Sequence, residues 1–257
     1  MFAKIFTALI VAAGLTFGLA HSAAAQEDQA LSQKQVEAVR KVIKDYLMEH
    51  PEVIHEAIEA LRVKMQLDAE ADAKKAITSY KDELFDGKDD PVAGNPKGDV
   101  VLVEFFDYNC SYCKQSMDAL FDSVKADGKV KVVFKEFPIL TEDSETAARA
   151  ALAARKQGKY EETHRAFMKY RGRLDEKQLF RLAGDAGVNV EQMKKDMGSP
   201  EIDKQLSRNQ EIAHALQING TPSFVIGNRI LSQALDQQEF KQLFDATRKG
   251  SGAPTQH

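Results

Sequence analysis

Hydrophobic positions along this chain follow two different rhythms. Over residues 32–47 the apolar side chains fall at Val36, Val39, Ile43, Tyr46 and Leu47, a spacing of three and four that lines one face of a helix. Ser32 suits the N-cap of that helix, because short polar side chains satisfy the unpaired N–H groups of a first turn. Pro51 ends the helix and opens another, since its missing N–H costs little in a first turn. The next stripe is Ile54, Ile58, Leu61 and Met65 with Ala57 beside it, the seam of a helix that packs along its length. From Gln66 to Ala76 the apolar groups are mostly alanines, so the segment reads as a solvated helical stalk. Ile77, Tyr80, Leu84 and Phe85 resume the stripe until Gly87, Asp89, Asp90 and Pro91 stop it.

Beyond Asp90 the rhythm changes. The run Val100–Phe106 is β-branched and aromatic and predicts a buried strand, and residues 129–137 predict another, with a helix over residues 110–124 between them. After Pro138 helices are expected over 144–156, 160–170, 175–186, 190–197 and 200–216. Two short strands follow at 223–226 and 229–231, turned by Gly227 and Asn228, before a final helix over 236–248. This order is α/β without internal repeats. It divides the chain into an arm and stalk at 26–89, a globular domain at 90–249 with a helical block at about 141–217, and a flexible tail at 250–257.

Composition changes the picture little. With 43% hydrophobic and 29% charged residues the chain can bury a core. A net charge of -4 disfavours a phosphate backbone, so no nucleic acid is expected as a partner. The N-terminus adds more. Lys4 precedes an uncharged apolar run from Ile5 to Ala20, and Ala23, Ala24 and Ala25 supply small residues, which is the pattern of a signal peptide over residues 1–25. The run is shorter than the roughly 20 apolar residues of a membrane span, so cleavage after Ala25 and a periplasmic location are expected. There disulfides can form.

The chain has 2 cysteines, Cys110 and Cys113. Their C-x-x-C spacing follows an expected strand and opens an expected helix, the setting of a thioredoxin-like redox pair. A helix start stabilises a thiolate. Cys110 is therefore the expected nucleophile, and Cys113, a turn further in, the resolving thiol. A purely structural cross-link would close too small a loop to constrain the unfolded chain much. A metal clip would need further ligands, and no histidine stands at a ligand spacing from the pair, so neither metal nor cofactor is expected. His164 and His214 are read as surface or packing residues. The arm must either dock on its own domain or meet copies of itself, because a helix pair of this size cannot bury its stripes alone.

Three segments carry a family resemblance: residues 103–114 around the cysteines, Lys135-Glu136-Phe137-Pro138-Ile139-Leu140, and Gly220-Thr221-Pro222-Ser223-Phe224-Val225-Ile226. Together they resemble the periplasmic disulfide oxidoreductases of the DsbA superfamily, and the arm, with Pro51-Glu52-Val53-Ile54 and Glu56-Ala57-Ile58, is similar to that of the ScsC-like proteins. The resemblance implies a thioredoxin fold with a helical insertion, preceded by an oligomerisation arm. It implies a cis-proline at Pro222 that presents the Thr221 backbone to substrate, with Ser111 and Tyr112 as further substrate-facing residues. Glu104 matches the family's buried acid, which could take the proton of Cys113; its bland alternative is a strand-edge carboxylate in water. Lys135 is either the charge partner of Glu104 or a solvated lysine. Strongly oxidising members carry His where this chain has Tyr112, so Cys110 should be less acidic than theirs. The implied activity is protein-disulfide isomerisation on exported unfolded or misfolded proteins, by a homo-oligomer, trimeric or dimeric, served by a membrane redox partner. A dithiol oxidase and a non-catalytic holdase or metal-handling protein are the alternatives.

Overall fold

The structure, a computed structural model, describes residues 31–250. The expected signal peptide and all of the expected tail beyond Gly250 lie outside the described residues. The described residues divide into two compact units, one up to Glu59 and one from Ala60.

The first unit holds helix α1 (Gln33–Glu49) and the beginning of α2 (Glu52–Ser79). Ser32 stands at the N-cap of α1, where Gln35 Oε1 accepts from its N–H at 2.9 Å and its hydroxyl at 2.7 Å. No residue of α1 is buried, and Val39, Ile43, Tyr46, Ile54 and Ile58 are exposed.

The second unit is built on a five-stranded sheet of order β1-β3-β2-β4-β5, comprising β1 (Val92–Gly94), β2 (Val100–Phe106), β3 (Val130–Glu136), β4 (Ser223–Ile226) and β5 (Arg229–Leu231). The parallel pair β2 and β3 is joined by α4 (Ser111–Asp127), while β1, β4 and β5 pair antiparallel. Between β3 and β4 lie five helices, α5 (Glu142–Lys156), α6 (Tyr160–Lys169), α7 (Glu176–Asp185), α8 (Val190–Asp196) and α9 (Pro200–Ala215). The last helix is α10 (Gln237–Arg248), and α3 (Lys81–Phe85) precedes the sheet. This is the expected thioredoxin fold with a helical insertion.

Strand β2 is covered on both faces, which is why its sequence, Glu104 apart, is apolar throughout rather than alternating. Leu102 and Phe106 join Met117, Leu120, Phe134, Phe224 and Phe240 in one core. Val103 and Phe105 join Val133, Val225, Ile212 and Leu216 in the other, where Ile77 and Leu84 are also buried. The resumed stripe at the end of the stalk is therefore core.

Strand β1 was not anticipated: three residues carry no periodicity. Gly94 has φ +74°, and a Cβ there would stand 2.4 Å from the Val130 carbonyl oxygen, so this edge pairing requires glycine. A correction concerns Lys135, which is neither solvated nor the partner of Glu104. Phe105 pairs with Lys135 across the β2–β3 ladder and Glu104 pairs with Phe134, and successive side chains point to opposite faces. Lys135 is buried, with its ammonium 2.5 Å from Asp90 Oδ2 and 2.7 Å from the Glu83 carbonyl.

Candidate active site

Strand β2 ends at Phe106, and a turn of three residues delivers the chain to Cys110, the N-cap of α4. Asp107 sets that turn. Its Oδ1 accepts from the Asn109 N–H at 2.7 Å and its Oδ2 from the N–H groups of Ile139 and Leu140, each at 3.0 Å. One buried carboxylate thus ties the turn to the loop after β3. Asn109 ties it to the insertion, accepting from the Leu174 N–H at 3.1 Å and donating towards Thr141 and Ser144. Neither residue stood out in the sequence, where the only available signal was a short polar side chain at a strand-to-helix turn.

Cys110 Sγ accepts from the Cys113 N–H at 3.2 Å and lies 3.2 Å from the Thr221 carbonyl oxygen, to which the thiol donates. The Thr221–Pro222 bond is cis. Both cysteines are free thiols with little exposure, and Ser111 and Tyr112 between them are exposed. Ile139 and Leu140, on the loop that Asp107 holds, are exposed as well. The geometry therefore brings Cys110, Cys113 and Thr221 together and leaves Ser111 and Tyr112 on the outside of the turn.

The two sulfurs are electrostatically unlike. A hydrogen bond from the Cys113 thiol, above all, lowers the Cys110 pKa to about 6 against the cost of burial, helped by Thr221 and the N–H groups of Cys113 and Tyr112. Burial pushes Cys113 strongly upward, and its donation to Cys110 and the charge of Glu104 add to this. Glu104 is buried, and no group among the described residues hydrogen-bonds its carboxyl. Burial first, and the Cys110 thiolate second, raise its pKa to about 8. Near pH 7 the site thus holds one thiolate, one thiol and one neutral carboxylic acid. Such a set can attack a disulfide sulfur at Cys110 and keeps a second thiol within reach. Among the described residues no group of three or more His, Cys, Asp and Glu is placed to hold a metal ion.

Residues 101–245 match the DSBA-like thioredoxin domain family, and residues 35–66 match the N-terminal domain of the copper resistance protein ScsC. The solved structure of a thioredoxin-like oxidoreductase from Silicibacter pomeroyi DSS-3 is 44% identical, with a TM-score of 0.64, covering 65% of this chain and 97% of that one. Proteus mirabilis ScsC in a transitional conformation is 30% identical, with a TM-score of 0.63 over 86% of this chain and 98% of that one. A probable disulfide bond formation protein D of Bacillus cereus is 27% identical over 183 residues, 65% of this chain and 85% of its own length. The chain also matches Na(+)/H(+) antiporters NhaA, such as one from Mycolicibacterium gilvum at 33% identity over 153 residues, but spans only 24% of their length.

Proposed function

The chain belongs to the DSBA-like thioredoxin domain family and is a thiol-disulfide oxidoreductase of the DsbA/ScsC type; from that premise we propose that it is a periplasmic protein-disulfide isomerase. The observation that carries the reading is the placement of Cys110 Sγ between the Cys113 N–H and the Thr221 carbonyl, each at 3.2 Å. The Cys110 thiolate attacks one sulfur of a client disulfide, that S–S bond breaks, and the client's released thiolate takes a proton from water. A second client thiol then attacks the client sulfur of the mixed disulfide, forming a new client disulfide and returning Cys110 as a thiolate; when Cys113 attacks Cys110 Sγ instead, the Cys110–Cys113 disulfide forms and the client leaves as a thiolate that takes a proton from water. Thr221, beside Pro222, offers its backbone to the extended client segment, and Ser111 and Tyr112 meet it from the helix. When Cys110 is bonded to client its negative charge is gone, and with it the second cause of the raised Glu104 pKa. Glu104 then ionises more readily and receives the proton of Cys113 as that thiol attacks.

Assembly belongs to the same reading. The exposed seam of Ile54, Ile58, Leu61 and Met65, in a segment matching the ScsC N-terminal domain, supports a homo-oligomer. Isoleucine at both kinds of seam position favours a trimer over a dimer. Several Cys110 sites sharing one client raise the effective concentration for another exchange after the first lets go. A specific observation favours a second reading, dithiol oxidase: a Cys110 pKa near 6 stabilises the reduced form and makes the disulfide oxidising. The cysteines would then be isolated oxidised rather than reduced. In the isomerase reading a membrane redox partner keeps them reduced.

The test is a trap. Cys113→Ser, expressed with exported clients, should accumulate mixed disulfides at Cys110, whereas Cys110→Ser should accumulate none. Client adducts mapped by mass spectrometry to Cys113 would reverse the assignment.

A further inference from the structure

Two residues before Cys110, the Tyr108 side chain turns into the core and meets three polar groups that the exchange chemistry does not use. Its hydroxyl donates to Glu136 Oε1 at 3.0 Å, and the Tyr160 hydroxyl donates to the same oxygen at 2.8 Å. His164 Nδ1 lies 3.1 Å from the Tyr108 hydroxyl. A tyrosine hydroxyl has one proton; given to Glu136, it leaves the oxygen free to accept, so His164 carries its proton on Nδ1. All four side chains are buried. They come from the active-site turn (Tyr108), the end of β3 (Glu136) and the insertion helix α6 (Tyr160 and His164). Aromatic rings enclose them: Phe106 and Phe167 meet Tyr108 edge-on at 5.1 and 5.3 Å, and Phe134 lies 4.6 Å from His164.

Polar groups in such a position are costly unless satisfied, and packing alone would be served as well by phenylalanine at 108 and an apolar residue at 136. What the cluster adds is a fixed position for Tyr108. Cys110 N–H donates to the Asp107 carbonyl at 3.1 Å, so the backbone on either side of Tyr108 is the turn that aims Cys110. We propose that Tyr108, Glu136, Tyr160 and His164 are positioning residues through which the helical insertion braces the Asp107–Cys110 turn and holds Cys110 Sγ on the Cys113 N–H. The inference rests on the reading of Cys110 as the attacking thiol.

The brace acts through geometry rather than charge. Burial raises the Glu136 pKa well above the usual carboxylate range, against the two tyrosine hydrogen bonds, and lowers that of His164 to about 3, so burial opposes charge on both. The ionisable groups that interact with the two sulfurs are Glu104 and Lys114, and removing a neutral tyrosine hydroxyl takes no charge from either. Any change in Cys110 after Tyr108→Phe therefore reports a change of position.

The experiment labels the reduced full-length protein with iodoacetamide between pH 4 and 9 and quantifies the Cys110 peptide. In Tyr108→Phe the midpoint should rise, lowering the labelling rate at pH 4, well below the midpoint, by roughly 3- to 10-fold, a tenfold loss there corresponding to one pKa unit. Glu136→Gln retains an oxygen that accepts both hydroxyls and should keep the wild-type midpoint. A folded Tyr108→Phe protein with an unchanged midpoint overturns the proposal, as does Glu136→Gln shifting as far as Tyr108→Phe. Should Tyr108→Phe fail to fold, Tyr160→Phe replaces it, with a smaller rise expected and no rise counting against the brace. Disulfide exchange by the wild-type protein is measured alongside. Absence of exchange there defeats the functional reading, while the labelling curves still judge the brace.

Discussion

Ile58 and Ile77 lie on one helix, α2, yet Ile58 is 45% exposed and Ile77 only 2%. The first belongs to the arm, where α1 buries no residue. The second belongs to the body, where two cores close over both faces of the sheet. Helix formation is the same in both places; what differs is whether one chain supplies the surface that covers the apolar face. The body completes itself, and Cys110, Cys113, Glu104 and the Thr221 carbonyl all come from one chain. The arm leaves its seam exposed, and the proposed assembly would cover it with a second copy. In the proposed reading chemistry and assembly are thus built separately, and the proposed isomerisation is the function that needs both.

The largest effect that sharpens this contrast concerns the body's closure. Glu104 has a folded pKa of about 8 against 4.5 in the unfolded chain. The folded protein therefore holds a proton that the unfolded chain releases: the contribution is fully present below pH 4.5 and is lost as pH rises towards 8. Glu104→Gln removes that dependence. The stability difference between wild type and variant, from urea unfolding at a series of pH values, should fall by about 4–5 kcal/mol across this window, at 1.36 kcal/mol per unit. A flat difference would mean that Glu104 is solvated like an exposed carboxylate.

A smaller effect compares the two isoleucines directly. Ile77→Ala leaves a cavity in a closed core and should cost about 3 kcal/mol of body stability. Ile58→Ala removes an exposed side chain and should change body stability by no more than about 0.5 kcal/mol, while raising the concentration at which the protein dissociates. Equal costs at the two positions would break the distinction between arm and body.

Much of this was legible in the residues. The strands Val100–Phe106, Ser223–Ile226 and Arg229–Leu231 stand where β-branched and aromatic runs put them, and the arm helices follow their stripes because local spacing is all a helix requires. The C-x-x-C pair was visible from two residues and their setting. Long-range facts were not. Lys135 and Asp90 are far apart in the chain, and the face that Lys135 occupies is fixed by the register of β3 on β2, which no local pattern encodes. Strand β1 needs its partner β3 to exist as a strand. The roles of Asp107, Tyr108 and Glu136 likewise depend on which segments the fold brings to one turn. The acid at 104 was read together with its alternative, and only burial on a central strand distinguishes the two.

The central claim is that the body carries the exchange chemistry and the arm turns it into isomerisation. The most direct test measures two rates on one variant, the full-length chain carrying Ile54→Lys, Ile58→Lys and Leu61→Lys, which places charges along the seam while keeping good helix formers. One rate is exchange with a small-molecule disulfide; the other is recovery of activity from a scrambled client protein. The expected result is a monomer by light scattering whose small-disulfide exchange matches wild type, and whose client recovery falls by about 10²-fold, the lower end of what linking sites contributes. A monomer that repairs scrambled clients as fast as the wild-type protein would contradict it.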